Sequence, residues 1–156
     1  MPNPFEQGPY LSAAFLCEKV LTEQDGARSA IRIIDRVIRT VVHPSPPPEM
    51  EPFEYDMTLF LRFKSGYARG THALEVQPVK PSGESLPPMR MSILFEGEED
   101  RGVDSIGMIR IKFDLTGIYW FNVKLNDVIV TRIPFRVIYM PQIRQMSPGS
   151  GTPPQA

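Results

Sequence analysis

The residues of this chain with the chemistry to catalyse or to bind a metal are few: one cysteine, two histidines and a short acidic run. Cys17 lies inside the apolar stretch "AAFLCEKVLTE" (13–23), a setting in which a thiol is buried and inert. His43 opens a proline run, and His72 lies at the start of "THALEVQPV" (71–79). A Ser-His-Asp or Cys-His unit needs its members within hydrogen-bond reach, and nothing in these spacings brings them together. A lone cysteine cannot close an internal disulfide, and a zinc site takes several Cys or His ligands at short spacing. The chain therefore fits a reducing compartment.

The acidic run "EGEEDRGVD" offers Glu96, Glu98, Glu99, Asp100 and Asp104, hard oxygen donors of the kind calcium takes. It lacks the regular Asp/Asn-x-Asp/Asn-x-Asp/Asn-Gly spacing of a calcium loop and reads first as a solvated turn. The glycines of "KSGYARGTH" and "KPSGESL" form no Gly-x-x-x-x-Gly-Lys-Ser/Thr motif and precede no helix that could hold an anion, so they read as hairpin connections. No catalytic, cofactor-binding or metal-ligating residue is expected, and no cofactor.

Side chains suited to contact are easier to find. Arg28, Arg32, Arg36 and Arg39 would line a helix as a basic stripe, while a strand would put Arg28, Arg32 and Arg36 on one face. The nearby acids of "EMEPFEYD" suit local ion pairing, and a partner-binding face is the alternative. Trp120, the only tryptophan, points away from the Tyr119 face of its strand; it either packs in a second layer or anchors a protein contact. Arg132 and Arg136 are turned away from the core in the next strand. The expected protein-contact residues are thus Trp120, Arg32, Arg36, Arg132 and Arg136. "PSPPPEMEP" has the look of a polyproline ligand, but a spacer is the simpler reading.

The rest of the chain must position these groups. At 156 residues it has room for one domain with a real core. Lysines and arginines number 17 against 18 acids, a net charge of −1, so no global field gathers nucleic acid or an anionic membrane. No apolar run approaches the roughly 18 residues of a membrane span, and "MPNPFEQGPY" lacks the charged and apolar regions of a secretion signal. The expectation is a soluble, cytoplasmic protein with no nucleic-acid or membrane partner, and with a protein partner or a homo-oligomer open to it.

The 17 prolines cluster between apolar runs and act as punctuation. After the first run, Asp25-Gly26 is a hairpin signal. The second, "RSAIRIIDRVIRTVV" (28–42), carries both a helical and a strand period, but seven of its fifteen residues are Val or Ile, which favours a strand with a bulge near Asp35. "HPSPPPEMEP" (43–52) is an extended linker. Further strands are expected at 53–63, 71–79, 89–96 and 105–115, and two more over the closing stretch "DLTGIYWFNVKLNDVIVTRIPFRVIY", joined by a turn at Asn126-Asp127. Pro134 inside the last strand implies a sheet edge or a bulge.

Asp114, Gly117 and Tyr119 of "DLTGIY" resemble the corner that opens the penultimate strand of immunoglobulin-like domains, with one residue more between Asp and Tyr than is usual. The pattern Gly-x-Tyr-x-Phe-x-Val, a turn, then Pro-Phe-x-Val is similar to the closing hairpin of filamin-type repeats. Together with "FLCEKVLTEQDGARSAIRIIDR" and "GTHALEVQPVKPSGESL", it resembles a family of uncharacterised bacterial β-sandwich proteins over about residues 13–139. That resemblance implies a fold and a bacterial origin, and no activity. The expected architecture is all-β, an immunoglobulin-like antiparallel sandwich of about seven to eight strands at 11–140, with a flexible 1–10 and a disordered tail at 141–156. The expected role is a non-enzymatic interaction or structural module. The alternatives are a phage- or secretion-related structural subunit, and a small-ligand or carbohydrate-binding or hydrolytic domain using the 96–104 loop.

Overall fold

The computed structural model describes residues 7–98 and 100–145. Residues 1–6, 99 and 146–156, which include parts of both expected flexible ends and one acid of the 96–104 loop, lie outside it. Nine strands are described: β1 (Tyr10–Thr22), β2 (Arg28–Ile34), β3 (Arg36–His43), β4 (Phe53–Lys64), β5 (Arg69–Val79), β6 (Met89–Glu96), β7 (Gly102–Phe113), β8 (Gly117–Leu125) and β9 (Val128–Ile143). They form two sheets, one in the order β2-β1-β4-β7 and one in the order β3-β9-β8-β5-β6. The five-stranded sheet curls as a half-barrel.

Alternation decides which side chains meet between the sheets. Met57, Leu59, Leu61 and Phe63 of β4, Ile109, Ile111 and Phe113 of β7, and Tyr119, Phe121, Val123 and Leu125 of β8 are all buried in one cluster with Leu74, Val76, Ile93, Phe95, Phe135 and Val137. Aromatic rings form its centre: Phe113 stacks on Phe135 with centroids 5.6 Å apart and meets Tyr119 edge-on at 4.8 Å.

The 28–42 segment is extended, but Asp35 divides it between the two layers. β2 pairs antiparallel with β1, and β3 pairs parallel with β9, Arg36 opposite Arg136. This crossing explains why nine strands appear where seven to eight were expected, and why one pair departs from the expected antiparallel pattern. It also corrects the single face expected for Arg28, Arg32 and Arg36: Arg32 belongs to the four-stranded sheet and Arg36 to the other.

The turns behave as their residue types require. Asn126 and Asp127 both take positive φ, 49° and 66°, the geometry of the two-residue turn whose twist matches a hairpin. A bulge follows on β9, where Val123 pairs with Thr131 and Lys124 with Ile129, leaving Val130 between them. At the first hairpin only Gly26 is left-handed, with φ 86°, and the connection is longer: Glu23 and Ala27 close it by a backbone hydrogen bond of 2.8 Å. β9 continues through Ile143, into the segment expected as tail.

Pro134 lies opposite Trp120 in a regular part of the β8–β9 ladder, away from that bulge. β9 is interior in the sheet order, yet β3 joins it only from Arg136 onward. At Pro134 one flank of β9 is therefore an edge, and the missing N–H costs no ladder bond there.

Candidate functional site

The outer face of the five-stranded sheet gathers four of the five contact residues expected from sequence. Across β8 and β9, Ile118 lies opposite Arg136, Trp120 opposite Pro134, and Asn122 opposite Arg132; Arg36 of β3 flanks Arg136. Tyr119, Phe121, Phe135 and Val137 are in the core, so strand alternation alone turns these neighbours outward. Arg32 is elsewhere. It takes φ 53° in β2 and pairs with Glu18 at 3.3 Å.

Trp120 is half-buried on this outer face. The Arg132 guanidinium lies over the indole at 4.5 Å from the ring centroid, and its Nε donates to Asn122 Oδ1 at 2.9 Å. Ring and guanidinium form one platform, a cation–π pair in which the indole face attracts the charge. Beside it, Asp35, Arg36, Ile118, Pro134 and Arg136 line a shallow depression of about 210 Å³.

Most arginines of the chain are neutralised by a neighbouring acid. Arg28, Arg62, Arg90, Arg101 and Arg110 each have a carboxylate partner, and Arg36 has Asp35 at 3.1 Å. Arg132 and Arg136, like Arg39, Arg69 and Arg144, make no ion pair among the described residues. The Arg136 backbone N–H instead donates to Asp35 O at 3.0 Å, fixing the point where β3 joins the sheet. From Val128 to Phe135 β9 is paired with β8 alone, so this stretch presents an open backbone flank next to two unneutralised arginines. Val128 and Ile129 on that flank are exposed. Sequence alternation located the side chains; the open flank depends on β3 crossing between sheets, which no local pattern encodes.

The other candidates are held in local contacts. Cys17 is buried, which pushes its thiol up, and its Sγ points to Lys19 O at 3.6 Å. His43 Nδ1 contacts Ser45 within the proline linker. His72 lies edge-on to Phe95 and meets Asn126 Nδ2 at 2.6 Å, helping to tie the β8–β9 turn to β5. In the 96–104 loop, Glu96 and Glu98 share Arg101, while Asp104 accepts from Arg62 Nε at 2.5 Å and Nη2 at 2.7 Å and also meets Arg28. The Arg62 hydrogen bonds hold the Asp104 carboxyl below its ordinary value. Among the described residues no group of three or more His, Cys, Asp or Glu comes together to hold a metal.

The Tyr119 hydroxyl forms the closure of the β7–β8 corner. It accepts from the backbone N–H groups of Asp114 and Leu115 at 3.2 and 3.1 Å and donates to Asp114 Oδ1 at 3.1 Å. Burial pushes its phenol up, and Lys80 at 2.8 Å holds the Asp114 carboxyl down. Gly117, φ 119°, supplies the bend; a side chain there would be strained and would press on Pro81 at about 3.2 Å.

The model of a family of unknown function (DUF6941) matches residues 12–138. No curated protein matches. Among solved structures, the Pseudomonas fluorescens alkylpurine DNA glycosylase AlkC bound to DNA containing an abasic site analog is similar over 64% of this chain, at 11% identity and a TM-score of 0.37. That likeness spans only 27% of the glycosylase chain and is too loose to carry an argument.

Proposed function

The chain belongs to this family of unknown function, matched over nearly the whole described domain, and from that premise we propose that it is a non-enzymatic interaction module that takes an extended, acidic protein segment along β9. The carrying observation is the open flank of Val128–Phe135 beside Arg132 and Arg136. A strand laid there continues the line that β3 begins at Arg36 and pairs with the flank except at Pro134, which has no N–H to give, and at the Val130 bulge. Arg132, Arg136 and Arg36 favour acidic side chains on the outward face, and the Trp120–Arg132 platform favours an aromatic or proline side chain beside them.

The immunoglobulin-like class is the fold reading that goes with this role. It is supported by the chain's alternation between the sheets, by the runs β1-β4-β7 and β9-β8-β5-β6, and by the hydroxyl-to-backbone corner at the start of the penultimate strand. A reducing cytoplasmic setting goes with the single buried cysteine.

The test uses peptides selected by display on the whole protein, titrated against it through the fluorescence of Trp120, the only tryptophan. Acidic, extended peptides should emerge. The double variant Arg132→Glu/Arg136→Glu should weaken them at least tenfold. Selected peptides that lack acids, or that bind the double variant as well as the wild type, would refute the assignment.

A further inference from the structure

β7 is an edge of the four-stranded sheet, with twelve residues paired to β4 on one side and to no strand on the other. Long exposed edges invite pairing unless charge, proline or a bulge blunts them. This one carries none of those at its centre. Met108 is 82% exposed and Ile106 39%, and Gly107 lies between them. Gly107 has no positive φ, and a Cβ added to it would meet only the flexible Met91 Cε at 3.8 Å, so nothing within the chain requires glycine there. Glycine within a strand is typical of a site where another backbone approaches closely.

We propose that a second copy of this chain adds antiparallel to β7 about a two-fold axis through Gly107, joining two four-stranded sheets into one of eight strands. The sequence of β7 is self-complementary about that point. Ile106 falls opposite Met108 of the second copy, and Asp104 opposite Arg110 of the second copy. The rows behind them agree. Phe15, Phe60 and Ile106 share one row and Cys17, Thr58 and Met108 the next; Cys17, Thr58 and Phe60 are buried, so the exposed apolar side chains at the seam are Ile106 and Met108 themselves. Arg62 lies behind Asp104, and Asp56 behind Arg110, so the joined row reads Arg62, Asp104, then Arg110 and Asp56 of the second copy, with alternating sign throughout. A shift of two residues would set Ile106 against Arg110 of the second copy, so pattern and charge select one register.

Light scattering of the full chain tests this. The wild type should approach twice the 17.7 kDa chain mass as concentration rises, and Ile106→Lys/Met108→Lys should stay monomeric with an unchanged circular-dichroism spectrum. Arg110→Glu, an exposed change that leaves the core intact, should weaken the dimer at least tenfold by facing Asp104 of the second copy. Under oxidation, Ile106→Cys/Met108→Cys should cross-link between copies, while either single variant and the wild type, whose Cys17 is buried, should not. A wild type that stays monomeric up to about 1 mM, the weak end of specific association, overturns the proposal. So does a dimer indifferent to these changes, or one whose double-cysteine variant cross-links no better than the singles.

Discussion

Replacing Tyr119 by Phe removes one oxygen from a fully buried ring and tests whether the corner between β7 and β8 is held by that hydroxyl or only by packing. The ring's contacts with Phe113 remain, so no cavity term enters. Two backbone donors, Asp114 N–H and Leu115 N–H, lose an acceptor, and the Asp114 carboxylate loses a donor. A neutral hydrogen bond contributes about 1 kcal/mol net and one to a charged group about 1.5–3 kcal/mol. Summed, that is about 4 kcal/mol, but two effects reduce it. Leu115 and Asp114 are partly exposed, so water replaces some of what is lost, and Asp114 keeps Lys80 at 2.8 Å. The expected cost is about 2 kcal/mol, read as a lowered urea midpoint with an unchanged m-value, because the surface exposed on unfolding is the same. Tyr139→Phe is the control. It deletes a single hydroxyl bond, to Pro47 O at 2.7 Å, and should cost about 1 kcal/mol. If Tyr119→Phe costs less than about 0.5 kcal/mol, within the range of ordinary surface changes, the corner is held by packing and the reasoning fails.

Asp104→Ala should destabilise by about 2 kcal/mol, because its side chain is only 10% exposed and it accepts two charged bonds from Arg62; equilibrium unfolding measures this. The same group sets an acid limit. Its folded pKa lies below the ordinary value of 3.8, so its contribution is complete above that value and is lost as pH falls through the folded pKa. Wild-type stability should therefore drop more steeply than that of Asp104→Asn below about pH 4; parallel slopes would contradict the pairing. Asp127→Gly should stabilise by about 0.5–1 kcal/mol, since Asp127 holds φ 66° in an exposed two-residue turn where glycine relieves the strain; a thermal melt that falls instead would argue against this turn geometry.

Much of the fold is legible in local pattern. The alternation of 53–63 marks β4, and that of 119–125 sends Trp120 outward and Tyr119 inward. Asn126-Asp127 specifies its turn because both residues tolerate positive φ. What the pattern does not carry is non-local. Residues 28–43 are rich in Val and Ile throughout, and nothing in the pattern says that Asp35 hands the chain from one sheet to the other or that β3 runs parallel to β9. For the same reason Arg32 and Arg36 look like neighbours in sequence and are held by different sheets. Pro134 signals an edge, which is correct for its own position and not for the strand as a whole. The candidate site follows this division, its side chains visible in the alternation and its open flank visible only once both sheets are assembled.

Binding of an extended acidic segment along β9, as proposed above, leaves a direct signature. Amide chemical-shift mapping of the whole protein with a display-selected peptide tests it most directly. The largest changes should fall on Val128–Arg136 and on the Trp120 indole N–H, with new protection of the Val128–Phe135 amides that face the open flank. Changes centred on the 96–104 loop or on β7, with β9 unmoved, would contradict it.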